Sequence, residues 1–335
     1  MLMNIYDVSK KAGVSIATVS RVINGNTNVS EKTKEKVLSV IKEIGYTPNV
    51  FARGLGLNTM KTIGIMCTDS SDLYLANAVY YLERELRAND YDSILCCTGT
   101  DLETKKKYLE LLLSKRVDAI ILVGSKFVES NDNDNSYIKE AAKKVPIMLV
   151  NGHVDGENIY TTLCNDEDAI YSVTDTLIKS GITDIVYLYT SNSHSGLNKL
   201  SGFRKAHFMH NLLLRPEYTK LCNKDYRRAK EYLTELYEKK VPFNAVVTSD
   251  DYLAVGALKF AYEFGLNVPG DLSIVGYNNS ILAECTEPAL TSIDSRVESL
   301  CITTVKTLMG IFNGSDVPNK TYITANIIKR NTTSF

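Results

Sequence analysis

The chain has 335 residues, a formal net charge of −1 and seven cysteines. That length predicts two or three folded units with enough core to need no staples. An odd cysteine count without a CxxC pair argues against a disulfide framework and for a reducing compartment, and no apolar run approaches the length of a membrane span.

The charge is unevenly placed. Residues 1–60 hold eight Lys/Arg against four acids, a net of +4, so the remainder sums to −5. A basic head on an acidic body suits a polyanion-binding module joined to something that must not bind polyanions. The start MLMNIYDVSKK has no long apolar stretch ahead of its charges, so no secretory signal is expected. The expected location is cytoplasmic.

Residues 4–45 read as three short helices. Asn4 and Asp7 have the spacing of a capping box for a helix over Ile5–Ala12, with Ile5 and Val8 inward and Gly13 closing it. Ser15 caps a second helix, Ile16–Asn24, with Val19 and Val22 on its apolar face and Gly25 as its stop. Ser30 caps a third, in which Val37, Leu38, Ile41 and Ile44 fall at helical spacing. Two helices joined by a Gly-containing turn, with a third behind, form a helix-turn-helix.

From Lys61 the texture changes. Apolar runs at Ile63–Cys67, Ile94–Cys97, Ala119–Val123, Ile147–Val150, Ile185–Tyr189, Ala245–Thr248 and Ile274–Tyr277 read as strands. Amphipathic stretches such as Ala76–Asn89, Lys105–Lys115, Ala169–Lys179 and Tyr252–Phe264 alternate with them. The alternation predicts parallel sheets with helical crossovers, and the strand number suits two α/β lobes. Thr47–Thr59 is the best linker.

No phosphate-cradling, zinc-protease or nucleophile-elbow motif occurs, so neither catalytic residues nor a cofactor is expected. His207 and His210, three apart on one helix, are the best metal pair, but two ligands without a third make a weak site. A surface helix is the better reading, and no metal is expected.

The run DVSKKAGVSIATVSRVINGNTNVSEKT, followed by GYTPNVFARGL, closely resembles the LacI/GalR family of bacterial transcription regulators. The resemblance implies an all-α helix-turn-helix head on an α/β periplasmic-binding-protein-like body of two doubly wound parallel-sheet lobes. It divides the chain into a DNA-binding domain (1–46), a hinge that becomes helical on DNA (47–59) and an effector-binding and dimerisation domain (60–335). The lobes would comprise about 60–161 with 292–322, and 162–291 with 323–335.

The second helix would lie in the major groove. Ile16 and Ala17 suit thymine methyls or close packing on base edges, and Arg21 suits guanine O6 and N7. Ser15, Thr18, Ser20 and Asn24 suit phosphates, with Tyr6, Tyr46 and Asn49 as weaker phosphate candidates. Core packing is an equal reading for Tyr46. Arg53 belongs to the hinge match, and Leu55 stands where the family wedges a minor-groove base step. Two heads on a homodimer demand a pseudo-palindromic operator.

In the body, further blocks resemble the family. They are TDSSDLYL, LSGF, SDDYLAVG, VPGDLSIVGYN and PALTS. The effector-binding candidates are Asp69, Asp72, Tyr74, Lys199, Asp250 and Asn278. Lys199 replaces a common arginine, Asp250 an asparagine and Asn278 an aspartate. Lys is a point donor, unlike the planar Arg fork, so the usual sugar contact is altered. The readings left open are a sugar, polyol or phosphorylated metabolite in the cleft, or control by a phosphorylated carrier protein acting as corepressor.

Overall fold

The computed structural model describes residues 3–24, 28–46 and 59–335. The head contains α1 (Ile5–Ala12), α2 (Ile16–Ile23) and α3 (Glu31–Ile44). Asn4 Oδ1 accepts from the Tyr6 and Asp7 amides, and Asp7 Oδ2 accepts from the Asn4 amide, completing the capping box. Gly13 ends α1 at φ +63°, a left-handed turn that a side chain would strain. Ser15 and Ser30 Oγ accept from the amides of Thr18 and Thr33. Helix α2 ends at Ile23, with Asn24 as its cap.

The head's core is Val8, Ala12, Val19, Val22, Val37 and Val40, flanked by half-buried Ile5, Ile41, Ile44 and Tyr46. Leu38 departs from expectation: it is exposed, and Val40 takes the inner position. The face of α3 that meets α1 and α2 runs through 37, 40 and 44, and one residue's turn of the helix carries Leu38 off it.

The body holds two six-stranded sheets. Named in chain order, the first contains β1 (Thr62–Cys67), β2 (Asp92–Cys97), β3 (Ala119–Val123), β4 (Ile147–Val150) and β5 (Ile159–Cys164). Its helices are α4 (Leu73–Ala88), α5 (Leu102–Ser114) and α6 (Ser136–Ala142). Helix α7 (Asp166–Lys179) leads to the second sheet, with β6 (Ile185–Tyr189), α8 (His194–Met209), β7 (Thr219–Leu221), α9 (Tyr226–Glu238) and β8 (Ala245–Thr248). There follow α10 (Asp251–Glu263), β9 (Ser273–Tyr277), α11 (Ile281–Cys285) and β10 (Thr291–Asp294). Helix α12 (Val297–Phe312) returns to the first lobe, β11 (Lys320–Ile323) completes the first sheet and β12 (Asn326–Ile328) the second.

The strand orders are β11-β5-β4-β3-β1-β2 and β12-β10-β9-β8-β6-β7. All pairs are parallel except β10 with β12. Both faces of each sheet are apolar, as parallel strands between helix layers require. In β3, Ala119, Ile121 and Val123 face α4 and α12, whereas Ile120 and Leu122 face α5 and α6.

The chain crosses between lobes after Cys164, Asp294 and Ile323. The first two crossings fall a few residues later than the expected divisions at 161 and 291. The cause is that β5 runs on through Thr162–Cys164 beside β11, and β10 pairs with β9. Strands β5, β7, β10 and β11 were not legible as apolar runs. All seven cysteines are free, and Cys97 is exposed rather than part of a buried run. Among the described residues no helix is long and apolar enough to cross a membrane.

Candidate nucleic-acid interface and interlobe cleft

The caps and core of the head fix which side of α2 is presented. Val19 and Val22 point into the core. Ser15, Ile16, Ala17 and Arg21 are exposed, and Tyr6 is exposed on neighbouring α1. Ser9 Oγ donates to the Val14 carbonyl at 2.6 Å, fixing the turn between α1 and α2. The result is a capped helix with apolar groups exposed at its leading end and a cationic side chain exposed in its last turn, an arrangement that fits a major groove.

The remaining candidates divide. Thr18 is half-buried with Oγ1 2.9 Å from Ser15 Oγ. Ser20 and Asn24 are half-buried and bonded to one another at 3.4 Å. Tyr46 packs against the head's core, the alternative weighed for it from the sequence. Asn49, Arg53, Leu55 and the expected stop at Gly25 lie outside the described residues.

In the body, the carboxyl ends of the strands of both sheets converge on one cleft, where ligands sit in open α/β folds. Its cavity measures about 110 Å³. Asp72, Tyr74, Lys199, Asp250 and Asn278 line it; Asp69 does not. Asp69 instead folds back on its own loop, accepting from the Ser71 amide and hydroxyl at 2.9 and 2.7 Å. Those bonds hold its carboxyl below the usual range.

Asp72 and Asp250 are the N-caps of α4 and α10, with Oδ1 accepting from the Tyr74 and Tyr252 amides, each at 2.9 Å. The two helices thus bring a carboxylate from each lobe to the cleft. Tyr74 OH accepts from Asn151 Nδ2 at 2.5 Å, and Asn151 Oδ1 accepts from the Cys164 amide. Asn278 Nδ2 donates to Asp250 Oδ2 at 3.2 Å, from a left-handed backbone at φ +89°. Behind it, buried Asp251 accepts from Ser280 and Ser292, which fixes the loop carrying Asn278. Burial leads those bonds and raises the Asp251 carboxyl to about 6.

Lys199 forms part of the cleft floor. Its ammonium lies 3.6 Å from the centre of the Tyr277 ring, donates to the Ser249 carbonyl at 3.3 Å and stands 4.0 Å from Asp166 Oδ1. Asp166, at the start of α7, also accepts from Ser195 Oγ and from Tyr277 OH. Lys199 is therefore committed to a buried polar network and offers the cleft one face of that network.

Asn151, Asp166, Ser195 and Lys224 were missed from the sequence. Lys224 lies after β7, a three-residue strand without an apolar run, so nothing marked it as a strand-end residue. His207 and His210 do not converge on a metal. His207 Nδ1–H donates to the Phe203 carbonyl, and His210 Nε2 is 2.7 Å from Asp175. Among the described residues no cluster of three or more His, Cys, Asp or Glu is placed to hold a metal ion.

Comparison with known proteins bears on both sites. Residues 4–49 match the bacterial regulatory proteins of the lacI family, and residues 174–333 match a periplasmic binding protein-like domain. An HTH-type transcriptional regulator of Lachnoclostridium phytofermentans is 61% identical over 99% of this chain and 100% of its own. Catabolite control protein A of Staphylococcus xylosus is 31% identical over 95% of this chain and 94% of its own. A crystal structure of the lac repressor dimer bound to operator and an anti-inducer superposes with a TM-score of 0.89. That match is at 24% identity and covers 99% of each chain.

Proposed function

Because the chain belongs to the LacI family of bacterial regulatory proteins, we propose that it is a homodimeric cytoplasmic repressor of carbohydrate or carbon-source genes, tuned by a small molecule in the interlobe cleft. It is a DNA-binding transcription regulator and not an enzyme. The observation that carries the base-reading assignment is the division of α2, with Val19 and Val22 buried, Ala17 and Arg21 exposed on the opposite side and Ile16 exposed at the leading end. One such head reads half a site, so a two-fold dimer reads a pseudo-palindromic operator. The lac repressor structure, a dimer on operator, supports that arrangement.

For the cleft, a sugar, polyol or phosphorylated metabolite is the proposed effector class. The hydroxyls and amides of Ser191, Ser193, Asn151 and Asn278 supply its polar contacts. Likeness to catabolite control protein A favours a second reading, in which a phosphorylated carrier protein tunes DNA binding.

The test is selection of bound duplexes from a random pool, then gel-shift of the winner across a salt series. A steep fall of log K with log salt is expected, since phosphate contacts release counterions. Arg21→Ala is expected to lose about 1–3 kcal/mol of discrimination between operator and random DNA, with much less loss of non-specific binding. If Arg21→Ala retains full discrimination, the base-reading role belongs to another residue. If no duplex is enriched, the regulator reading fails.

A further inference from the structure

Lys224 stands between the lobes, in the loop joining β7 to α9. Its ammonium donates to Asp72 Oδ2 of the first lobe at 2.6 Å and lies 3.3 Å from Asp250 Oδ2 of the second. Both carboxylates already spend their other oxygen capping their own helices. Their remaining oxygens converge on this one cation. The three side chains are only 30%, 18% and 14% exposed. Burial alone would lower the lysine's pKa, yet Asp250 and Asp72 outweigh it and hold the ammonium above its ordinary value. Take the cation away and the carboxylates of the two walls lose the charge they share, Asp250 Oδ2 keeping only the Asn278 amide.

We infer that Lys224 is the cleft's own tethered ligand, closing the lobes on one another through Asp72 and Asp250 so that any effector must displace it. The cavity beside it, about 110 Å³, is well below the roughly 300–1,000 Å³ usual for metabolite sites. A sugar-sized molecule therefore enters only if Lys224 swings out toward solvent, a motion that its long flexible stem permits. What then awaits the ligand is a pair of carboxylates among amides and hydroxyls, with Lys126 also lining the cavity and the Lys199 ammonium engaged with Ser249 and Asp166. At the position Lys224 leaves, an anion meets both carboxylates, and a neutral polyol brings no charge to replace the lost ammonium. A polyol bearing a primary amine replaces the lysine group for group. This choice of ligand class rests on the cleft being the effector site; the closure by Lys224 does not.

The experiment uses the full-length protein without added effector, followed by small-angle X-ray scattering and by hydrogen exchange of peptides spanning residues 72–76 and 249–254. Lys224→Ala is expected to enlarge the radius of gyration and speed exchange at least tenfold in both peptides, while Lys224→Arg stays closed. Asp72→Asn keeps a good helix cap but removes the charge, so it opens the body too, and the double variant opens no further than either single one. Millimolar propylammonium, which restores the deleted atoms, is expected to reclose Lys224→Ala, whereas propanol does not. A Lys224→Ala protein as closed and protected as wild type overturns the tether, as does equal rescue by propanol. Against Lys224→Ala, glucosamine, galactosamine and mannosamine are compared with their neutral parents and with glucose 6-phosphate. At least one amino sugar is expected to bind tenfold tighter than its parent and than the phosphate. If none does, the amine class is wrong even where closure holds, and the DNA selection described above is untouched by either result.

Discussion

Replacing Gly202 by alanine puts a methyl group where the structure has no room. Gly202 lies on α8 against α7, and a Cβ built there falls 2.2 Å from the Glu167 carbonyl oxygen and 3.0 Å from the Tyr171 amide nitrogen. Ordinary contact is about 3.4 Å or more, so the helices must separate by roughly 1 Å. Both obstructing atoms are backbone, so no side chain can turn aside. Overpacking of this kind sits at the upper end of its range, about 3 kcal/mol. Alanine recovers about 1 kcal/mol through its better helix propensity. The net is a loss of about 2 kcal/mol, or a melting temperature lower by roughly 4–8 °C. Thermal scans checked against urea titration measure it. Leu197→Ala, exposed on the same helix, serves as the control and is expected to shift stability by less than about 0.5 kcal/mol. Because α8 also carries Ser195 and Lys199, the same displacement loosens the network around Asp166. A Gly202→Ala protein that melts at or above wild type refutes the argument, since the two helices would then not be in backbone contact.

Two further outcomes are expected. Val19→Ala removes two methyl groups from the centre of the head's small core, a loss of about 2 kcal/mol including the cavity. A head of this size has little stability in reserve, so DNA binding is expected to fail while the melting of the body is unchanged; a shift in the body's transition would contradict the separation. Burial depresses the pKa of His207 below its ordinary 6.5, with its Nδ1 proton given to the Phe203 carbonyl. Neutral His207 therefore contributes stability that is present above pH 6.5 and is lost as the pH falls through the depressed value. Wild type is expected to lose melting temperature relative to His207→Phe on acidification below pH 6.5, and parallel curves for the two proteins would rule this out.

What the sequence settled was local. The caps at Asn4, Ser15 and Ser30 and the turn at Gly13 are decided by residues within four positions of each other, and the helices begin where those residues say. Strands buried on both faces also announced themselves, because Ala119–Val123 and Ile185–Tyr189 are continuous apolar runs. Strands with half-exposed or hydroxyl-bearing positions did not: Thr219–Leu221, Thr291–Asp294 and Lys320–Ile323 exist because a neighbouring strand supplies their hydrogen bonds. Which face of α2 is buried followed from the spacing of Val19 and Val22, since one helix contains the whole pattern.

The cleft was decided elsewhere. Asp72, Asp250 and Lys224 are separated by up to 178 positions, and only the facing of two sheets through three crossings puts their charges together. Asp69 and Asp72 are three residues apart in one loop, yet one bonds its own turn and the other spans the lobes. Periodicity cannot separate those fates, because it records which side of a helix or strand a residue occupies and carries no information about what stands across a gap. Electrostatic pairing falls off over a few ångströms, so it belongs to the assembled molecule and not to the order of its residues.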